Sequence, residues 1–555
     1  LRKHSQREDD KLTDNQFSGK RLNEELGNNE LREYLANKDE TSAMALPKAY
    51  EPDLRTYCQP YERELRTLLI SPPITIPRDM QKRCIPPLGL SYIGASLEAK
   101  KMNVTMLDCM VEGYEHEEYS GNLMTYGLSM DMLEERLREL SAPPDVIGIS
   151  VLFSTDLHNL FNVTRTVKKV LPKCVIVAGG LHPTIYPKEI FELDQTLNGT
   201  VHTVDFVIRG EGEERIPAFV KLLQTGKVDR NADGLVGFVE GEFFCNYQRE
   251  TIADLDSLAF PAYHLLPMEK YLQINVPFSP VPQGSRVAQI LTSRGCPIGC
   301  SFCASSNMYK KFRHRSVENV MAEIQQLKER YAIDEIQFAD DNLTLNREHS
   351  VEFFNALKDA NLMWCTPNGT MVNTLTPDLL DLMARSGLYQ ITLSLDSANA
   401  KTLKNLHHKP VNLNSIPGLI AKAKEYGIFT HGTLVVGMPG ESLSDIEEGF
   451  EYVMNNLPLT SISTFIAAAI PGSELYHQAL DKGLVTKEDA RRIDTTRSQI
   501  HLSDIPAELL ERKVMEFQEK FTSTARMRDP DEYQRKYKKL LESGRLQGAH
   551  GGRLT

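Results

Sequence analysis

The chain has 555 residues, too many for one hydrophobic core, and that length predicts roughly two to four domains. It is 41% hydrophobic and 25% charged, and no apolar run approaches the ~20 residues that cross a bilayer. A net charge of −12 argues against a general nucleic-acid binder, whose phosphate contacts need clustered Lys and Arg. Leu1-Arg2-Lys3-His4-Ser5-Gln6 has no apolar h-region, so the expectation is a cytoplasmic chain without a secretory leader or a membrane span.

Residues 1–63 are polar and charged, with helical patches around Leu26 and Leu31, and read as a partly helical extension. From Arg66 the texture changes. Thr67–Ile70, Asn103–Asp108, Asp145–Ser150, Cys174–Ala178 and Asp205–Ile208 are short apolar runs that read as strands. Leu88–Lys100, Met130–Leu140 and Asp156–Val170 have helical spacing between them. This alternation predicts a doubly wound parallel sheet over 64–225, whose ligands sit beyond the carboxyl ends of the strands. Residues 226–285 read as a connector with short strands such as Leu235–Val239. A second α/β series occupies 286–480, with strands at Ala288–Leu291, Glu335–Phe338, Trp364–Met371, Gln390–Ser394, Thr430–Val436 and Ser463–Ile466. Six such units suggest a partial α/β barrel. Residues 481–555 are charged and read as mainly helical.

Nine cysteines, six of them scattered, fit poorly with a secreted disulfide framework. Cys296, Cys300 and Cys303 instead lie in one short loop after an apolar strand, with three and then two residues between them. Thiolates are the usual protein ligands of iron–sulfur clusters, and three of them leave one iron of a 4Fe–4S cluster open. A zinc site would want a fourth Cys or His, and His314, the nearest histidine downstream, is badly spaced for a compact zinc loop.

The spacing, with Phe302 just before the third cysteine, resembles the signature of the radical S-adenosylmethionine (SAM) superfamily. That resemblance implies a 4Fe–4S cluster held by the three cysteines, SAM chelated at the open iron, and reduction by an external donor of flavodoxin or ferredoxin type. It also implies SAM contacts at Phe302, at Asp340 and Asp341 after the second barrel strand, and at Ser394 and Asp396 on the fourth. Gly437 after the fifth strand and Pro471 after the sixth complete the set. A carboxylate at Asp340 or Asp341 would accept from the SAM ammonium.

Three segments of the first domain resemble the cobalamin-binding domain that precedes many radical SAM enzymes. They are Pro86-Pro87-Leu88-Gly89-Leu90, Gly179-Gly180-Leu181-His182-Pro183-Thr184 and Arg209-Gly210-Glu211-Gly212-Glu213. Cobalamin contacts are thus implied at Pro72, Pro87, Gly89, Asp108, Ser150, Ser154, Thr155, Gly179, Gly180, His182, Pro183, Thr184, Glu211 and Gly212. The glycines alone would equally suit a flavodoxin-like domain that binds nothing. Their order ahead of the cysteine loop favours cobalamin. The loop Ser71–Ile85 has no histidine, so the cobalt's lower face is expected to lack a protein imidazole, with Arg78, Met80 or Cys84 beneath it.

The whole resembles the class B radical SAM methyltransferases: a cobalamin-binding domain, a partial (β/α)6 radical SAM barrel and a mainly helical C-terminal region. The implied activity is transfer of a methyl group from methylcobalamin to an unactivated carbon of a small molecule. A cyclase or rearrangement enzyme, and a non-catalytic cobalamin or metal sensor, are the alternatives. Cys365 on the third barrel strand is a candidate for the reaction cavity or a buried structural thiol. Lys310, Lys311, Arg313, His314 and Arg315 read as a solvated helix start or a contact for an anionic substrate, and His407-His408 as surface loop.

Overall fold

In the computed structural model the described residues are 60–78, 80–198, 202–239, 242–247, 251–279, 281–305, 309, 311–490 and 502–542. The N-terminal extension therefore lies almost wholly outside them, as does Lys310.

The first sheet grows from the apolar runs. Strand β1 (Arg66–Ser71) buries Leu68, Leu69 and Ile70 and stands between β2 (Asn103–Asp108) and β3 (Val146–Ser150), paired parallel with both. Strands β4 (Val175–Gly179) and β5 (Phe206–Ile208) continue the parallel ladder beyond β3. Two strands from the expected connector, β6 (Leu235–Val239) and β7 (Glu242–Cys245), extend the edge antiparallel, giving the order β7-β6-β5-β4-β3-β1-β2. The strand order reverses at β1, and the crevice between the loops after β1 and β3 is where such sheets bind ligands. Leu69, Val177 and Phe206 face helices Leu88–Ala99 and Gly212–Gln224, which bury Leu90, Leu97, Ile216 and Leu223 against them. Alternate residues such as Leu68 and Ile147 point the other way.

Sequence spacing did not foresee a small antiparallel sheet, Ile74–Pro77, Leu123–Tyr126 and Glu117–Ser120, inserted after β1 and β2. Its strands are four residues each and half solvated, too short for a clear period.

The second sheet is a run of six parallel strands in chain order: β8 (Val287–Ile290), β9 (Glu335–Phe338), β10 (Met363–Met371), β11 (Leu388–Asp396), β12 (Phe429–Val436) and β13 (Ser461–Ile466). Its outer residues meet the helices; Phe338 packs edge-on against Trp364 and Phe353. Helix Val317–Tyr331 follows the cysteine loop and starts at Ser316, whose hydroxyl accepts from the Asn319 amide. Two C-terminal helices, Ala507–Arg528 and Pro530–Glu542, pack on the later strands, the first stacking Phe517 on Phe450 at 4.0 Å. No helix among the described residues is long and apolar enough to cross a membrane.

Candidate functional site

A two-stranded ribbon, Ser293–Arg294 against Arg313–His314, brackets the cysteine loop. Gly295 turns the chain with φ +88°, and a Cβ there would lie 2.5 Å from the Lys311 carbonyl and 2.6 Å from that of Tyr309. Only glycine lets the arms close so tightly. The Cys296 amide then donates to Tyr309 (2.9 Å) and the Cys303 amide to Cys300 (3.0 Å). Between them Ser301 reaches two later loops: its hydroxyl donates to the Leu406 carbonyl (2.6 Å), and its carbonyl accepts from the Leu475 amide (2.9 Å).

None of the three sulfurs is tied up in a disulfide. Burial pushes the Cys300 thiol up to about 12, with Lys409 opposing it and the other two cysteines adding to it. Burial likewise raises Cys296, helped by Asp341 and Cys303. The three sulfurs are therefore near enough to repel one another as thiolates. Among the described residues, no three His, Cys, Asp or Glu side chains converge on one point as ligands of a single ion do. Three thiols on one short loop are the ligand set of a 4Fe–4S cluster with one open iron, whereas a structural zinc wants a fourth ligand.

The residues around the loop correct several expectations. Asp340 is fully buried, and its carboxylate accepts from the Thr292 amide and hydroxyl (3.1 and 2.6 Å) and from the Ser293 hydroxyl. It anchors the strand-to-loop junction and is not open to an ammonium. Asp341 is exposed, accepts from Ser305 (3.2 Å), and is the member of the pair that faces Cys296. Asp396 sits at the end of β11 with φ +56°, ion-paired to buried Lys409 beside Cys300. Ser394 lies over Gly369, its hydroxyl where a Cβ would stand. The Gly437 amide donates to Glu441 (2.6 Å), and Pro471 is buried ahead of Gly472.

His407 and His408 are not surface loop. His407 is wholly buried, its ring edge-on to Phe302 at 5.3 Å, and burial drives its imidazole down to about 4. Neither ring nitrogen has a protein partner. An orphaned imidazole beside the cysteine loop fits a site that a further molecule completes. His408 pairs with Glu474 at 3.3 Å. Nothing in the local sequence distinguishes the two histidines; the signal is purely tertiary.

Cys365 lies away from the cysteine loop, toward the amino ends of the barrel strands. It accepts from the Tyr389 hydroxyl (3.2 Å), which also donates to buried Glu335 (2.8 Å), and burial holds its thiol well above the usual range. Arg313 and Arg315 are buried in ion pairs with Glu211 and Glu323, so neither is a solvated helix start or a substrate contact. Lys311 and His314 are exposed.

At the carboxyl edge of the first sheet, Ser154 shares a 2.8 Å hydrogen bond with His182 Nδ1, joining the loops after β3 and β4. Thr184 donates to the Gly180 carbonyl (2.6 Å) and accepts from the Gly210 amide (2.8 Å), joining those after β4 and β5. Gly180 approaches β3 so closely that a Cβ would stand 2.2 Å from the Val151 carbonyl. Ser150 pairs with Gly179 in the ladder, Thr155 is half-buried, and Pro72 and Pro183 are buried. Pro87 caps helix Leu88–Ala99, and Gly89 in its first turn is exposed with nothing near its Cβ position. Leu152 and Phe153, in the same loop between Ser150 and Thr155, are 59% and 62% exposed. Large apolar side chains left in water on a ligand edge fit the face of a bulky macrocycle.

Four expected cobalamin contacts are otherwise engaged. Asp108 caps the turn at Met110 (2.9 Å) and accepts from the Tyr271 hydroxyl, and burial raises its carboxyl to about 7. Glu211 accepts from Arg294 and Arg313 (both 2.9 Å) and from the Ile252 amide (2.8 Å). Gly212 makes room for Ile93, whose Cδ1 lies 2.7 Å from its Cβ position. Cys84, offered beneath the cobalt, is buried in the core and donates its amide to Val276 (2.9 Å). Arg78 and Met80 remain exposed on that loop.

The two edges meet. The Gly472 amide donates to the Tyr186 hydroxyl (3.1 Å), and Tyr186 joins Met438, Leu475 and Tyr476 in one apolar cluster.

Residues 81–220 match the B12 binding domain and residues 290–453 the radical SAM superfamily. The chain is 35% identical over 459 residues to the cytidylyl-2-hydroxyethylphosphonate methyltransferase of Streptomyces wedmorensis, covering 77% of this chain and 84% of that protein. It is 27% identical over 438 residues to the anaerobic magnesium-protoporphyrin IX monomethyl ester cyclase of Rubrivivax gelatinosus, covering 76% and 75%. Among solved structures it resembles the methyltransferase TsrM of Kitasatospora setae with cobalamin and a 4Fe–4S cluster bound, at TM-score 0.58 and 15% identity over 76% and 75% of the two chains. It also resembles the cobalamin-dependent radical enzyme OxsB, with aqua-cobalamin and SAM bound, at TM-score 0.64 and 13% identity over 87% and 72%. Those two likenesses establish the fold, a doubly wound α/β sheet followed by a second series of strand–helix units. With both family matches and a methyltransferase relative aligned across most of its length, the chain belongs to the cobalamin-dependent radical SAM methyltransferases, enzymes whose cofactors are a 4Fe–4S cluster, SAM and cobalamin.

Proposed function

We propose that this enzyme methylates an unactivated carbon of a small anionic molecule, an organophosphonate in the first instance. The observation that carries the reading is the junction of the two strand-end edges, Gly472 on Tyr186 and Arg294 on Glu211, because a reaction needing both cofactors needs both edges held together. When bound, the cluster with SAM supplies a hydrogen-abstracting radical and cobalamin supplies the methyl group.

The chain's own residues bind, orient and exclude water. Cys296, Cys300 and Cys303 hold the cluster. Asp341 and the Asp396–Lys409 pair receive the charged ends of SAM. Phe302, Ser394, Gly437 and Pro471 line the rest of it. Pro72, Pro87, Gly89, Ser150, Ser154, Thr155, Gly179, Gly180, His182, Pro183 and Thr184 border cobalamin, and Leu152 and Phe153 keep its face dry. A flavodoxin- or ferredoxin-type protein delivers the electron. A relative named for a cytidylyl phosphonate substrate, at 35% identity, supports the phosphonate class.

The test is anaerobic purification with cobalamin supplied, then reaction with SAM, a strong reductant and candidate phosphonates. A methylated product formed in step with both S-adenosylhomocysteine and 5′-deoxyadenosine is expected. A product with no added methyl, formed without S-adenosylhomocysteine, would replace methylation by cyclisation. No 5′-deoxyadenosine at all would remove the radical reading.

A further inference from the structure

Both arms of the ribbon that brackets the cysteine loop carry an arginine, Arg294 on one and Arg313 on the other. Both arginines converge on one carboxylate of the other domain. Glu211, in the loop after β5, accepts from Arg294 Nη1 (2.9 Å) and from Arg313 Nη1 with both oxygens (3.0 and 2.9 Å). Arg294 Nη2 also reaches Glu213 (2.7 Å), and its guanidinium lies over the Tyr92 ring at 5.0 Å, on helix Leu88–Ala99. The Glu211 and Arg313 side chains are 5% and 4% exposed, so water screens this pair little.

Two acids and two bases balance, and Arg294, whose Nη1 and Nη2 reach two different carboxylates, fixes direction as well as distance. A buried set of this kind adds little net stability over apolar packing, which favours a role in specifying geometry. Glu211 was expected to touch cofactor; it touches the loop that holds the other cofactor's ligands instead.

We propose that Glu211, Arg294 and Arg313 are positioning residues that clamp the cluster-bearing ribbon onto the cobalamin-binding sheet, so that the radical formed on one side and the methyl carried on the other stay in register. The proposal rests on the reading given above for the two cofactors.

The test is Glu211→Gln and Glu213→Gln in the anaerobically reconstituted full chain, with Glu211→Asp as the conservative control. In Glu211→Gln, iron, sulfide and corrinoid contents are expected at wild-type levels, while the magnetic interaction between reduced cluster and cob(II)alamin in the EPR spectrum changes. Methylated product per 5′-deoxyadenosine is expected to fall on the order of tenfold or more, as small displacements of reacting groups do. Glu213→Gln, which loses a bond to Arg294 alone, should fall less, and Glu211→Asp should recover part of the ratio. A Glu211→Gln enzyme with full cofactor content and an unchanged ratio and spectrum overturns the proposal. So does one that loses its cofactors while Glu213→Gln behaves as wild type, since the glutamate would then serve folding alone. Wild-type protein that takes up no corrinoid, or releases no 5′-deoxyadenosine, would instead sink the cofactor reading before any variant is compared.

Discussion

At Gly295 the cysteine loop depends on a single missing Cβ. A Gly295→Ala chain would have to push apart the Tyr309 and Lys311 carbonyls at a left-handed φ, a cost of about 1–3 kcal/mol. Iron content after reconstitution should fall several-fold, while circular dichroism stays near wild type. Glu441 ties stability to pH. It is buried, accepts from the Gly437 and Met438 amides, and burial raises its carboxyl from 4.5 to about 7. A folded pKa above the unfolded one means stability present below about 4.5 and lost as pH rises through about 7. Glu441→Gln keeps an acceptor oxygen but cannot ionise, so its unfolding free energy from urea titration should gain on wild type between about pH 5 and about pH 8, by up to roughly 3 kcal/mol. Equal pH slopes for the two proteins would refute this.

Among the elements, helix Pro530–Glu542 carries the most unusual cation. Lys536 is buried against β13, donates to the Ser461 hydroxyl (2.6 Å), and burial lowers its ammonium from 10.5 to about 7. The folded pKa lies below the unfolded one, so this helix docks best at high pH and loosens as pH falls through about 7. Lys536→Met should stabilise the docked helix at about pH 6 by about 1–3 kcal/mol, with a smaller effect near pH 10. Hydrogen exchange of Pro530–Glu542 reads the difference directly. The regular elements themselves were legible from spacing: Asn103–Asp108 and Glu335–Phe338 fall where their apolar runs predict. The antiparallel insert did not, because four-residue strands lack a period.

Over the whole molecule, one of the contacts between the two sheets passes through Gly472. A Cβ there would lie 2.6 Å from the Ile185 Cδ1 at φ +88°, so Gly472→Val should part Ile185 and Tyr186 from the barrel. Calorimetry is expected to resolve two unfolding transitions in place of one, with iron still bound by the barrel; a single unchanged transition would contradict it. The cysteine loop, the strand-end glycines and the two α/β series could be read from the chain because each is a local pattern, complete within a few residues. The roles of Glu211, Asp340 and His407 could not. Glu211 meets Arg313 across 102 positions, Asp340 meets Thr292 across 48, and His407 is buried by a phenylalanine of the cysteine loop. Whether a charge is exposed, paired or orphaned depends on what folds against it, and only long-range packing decides that.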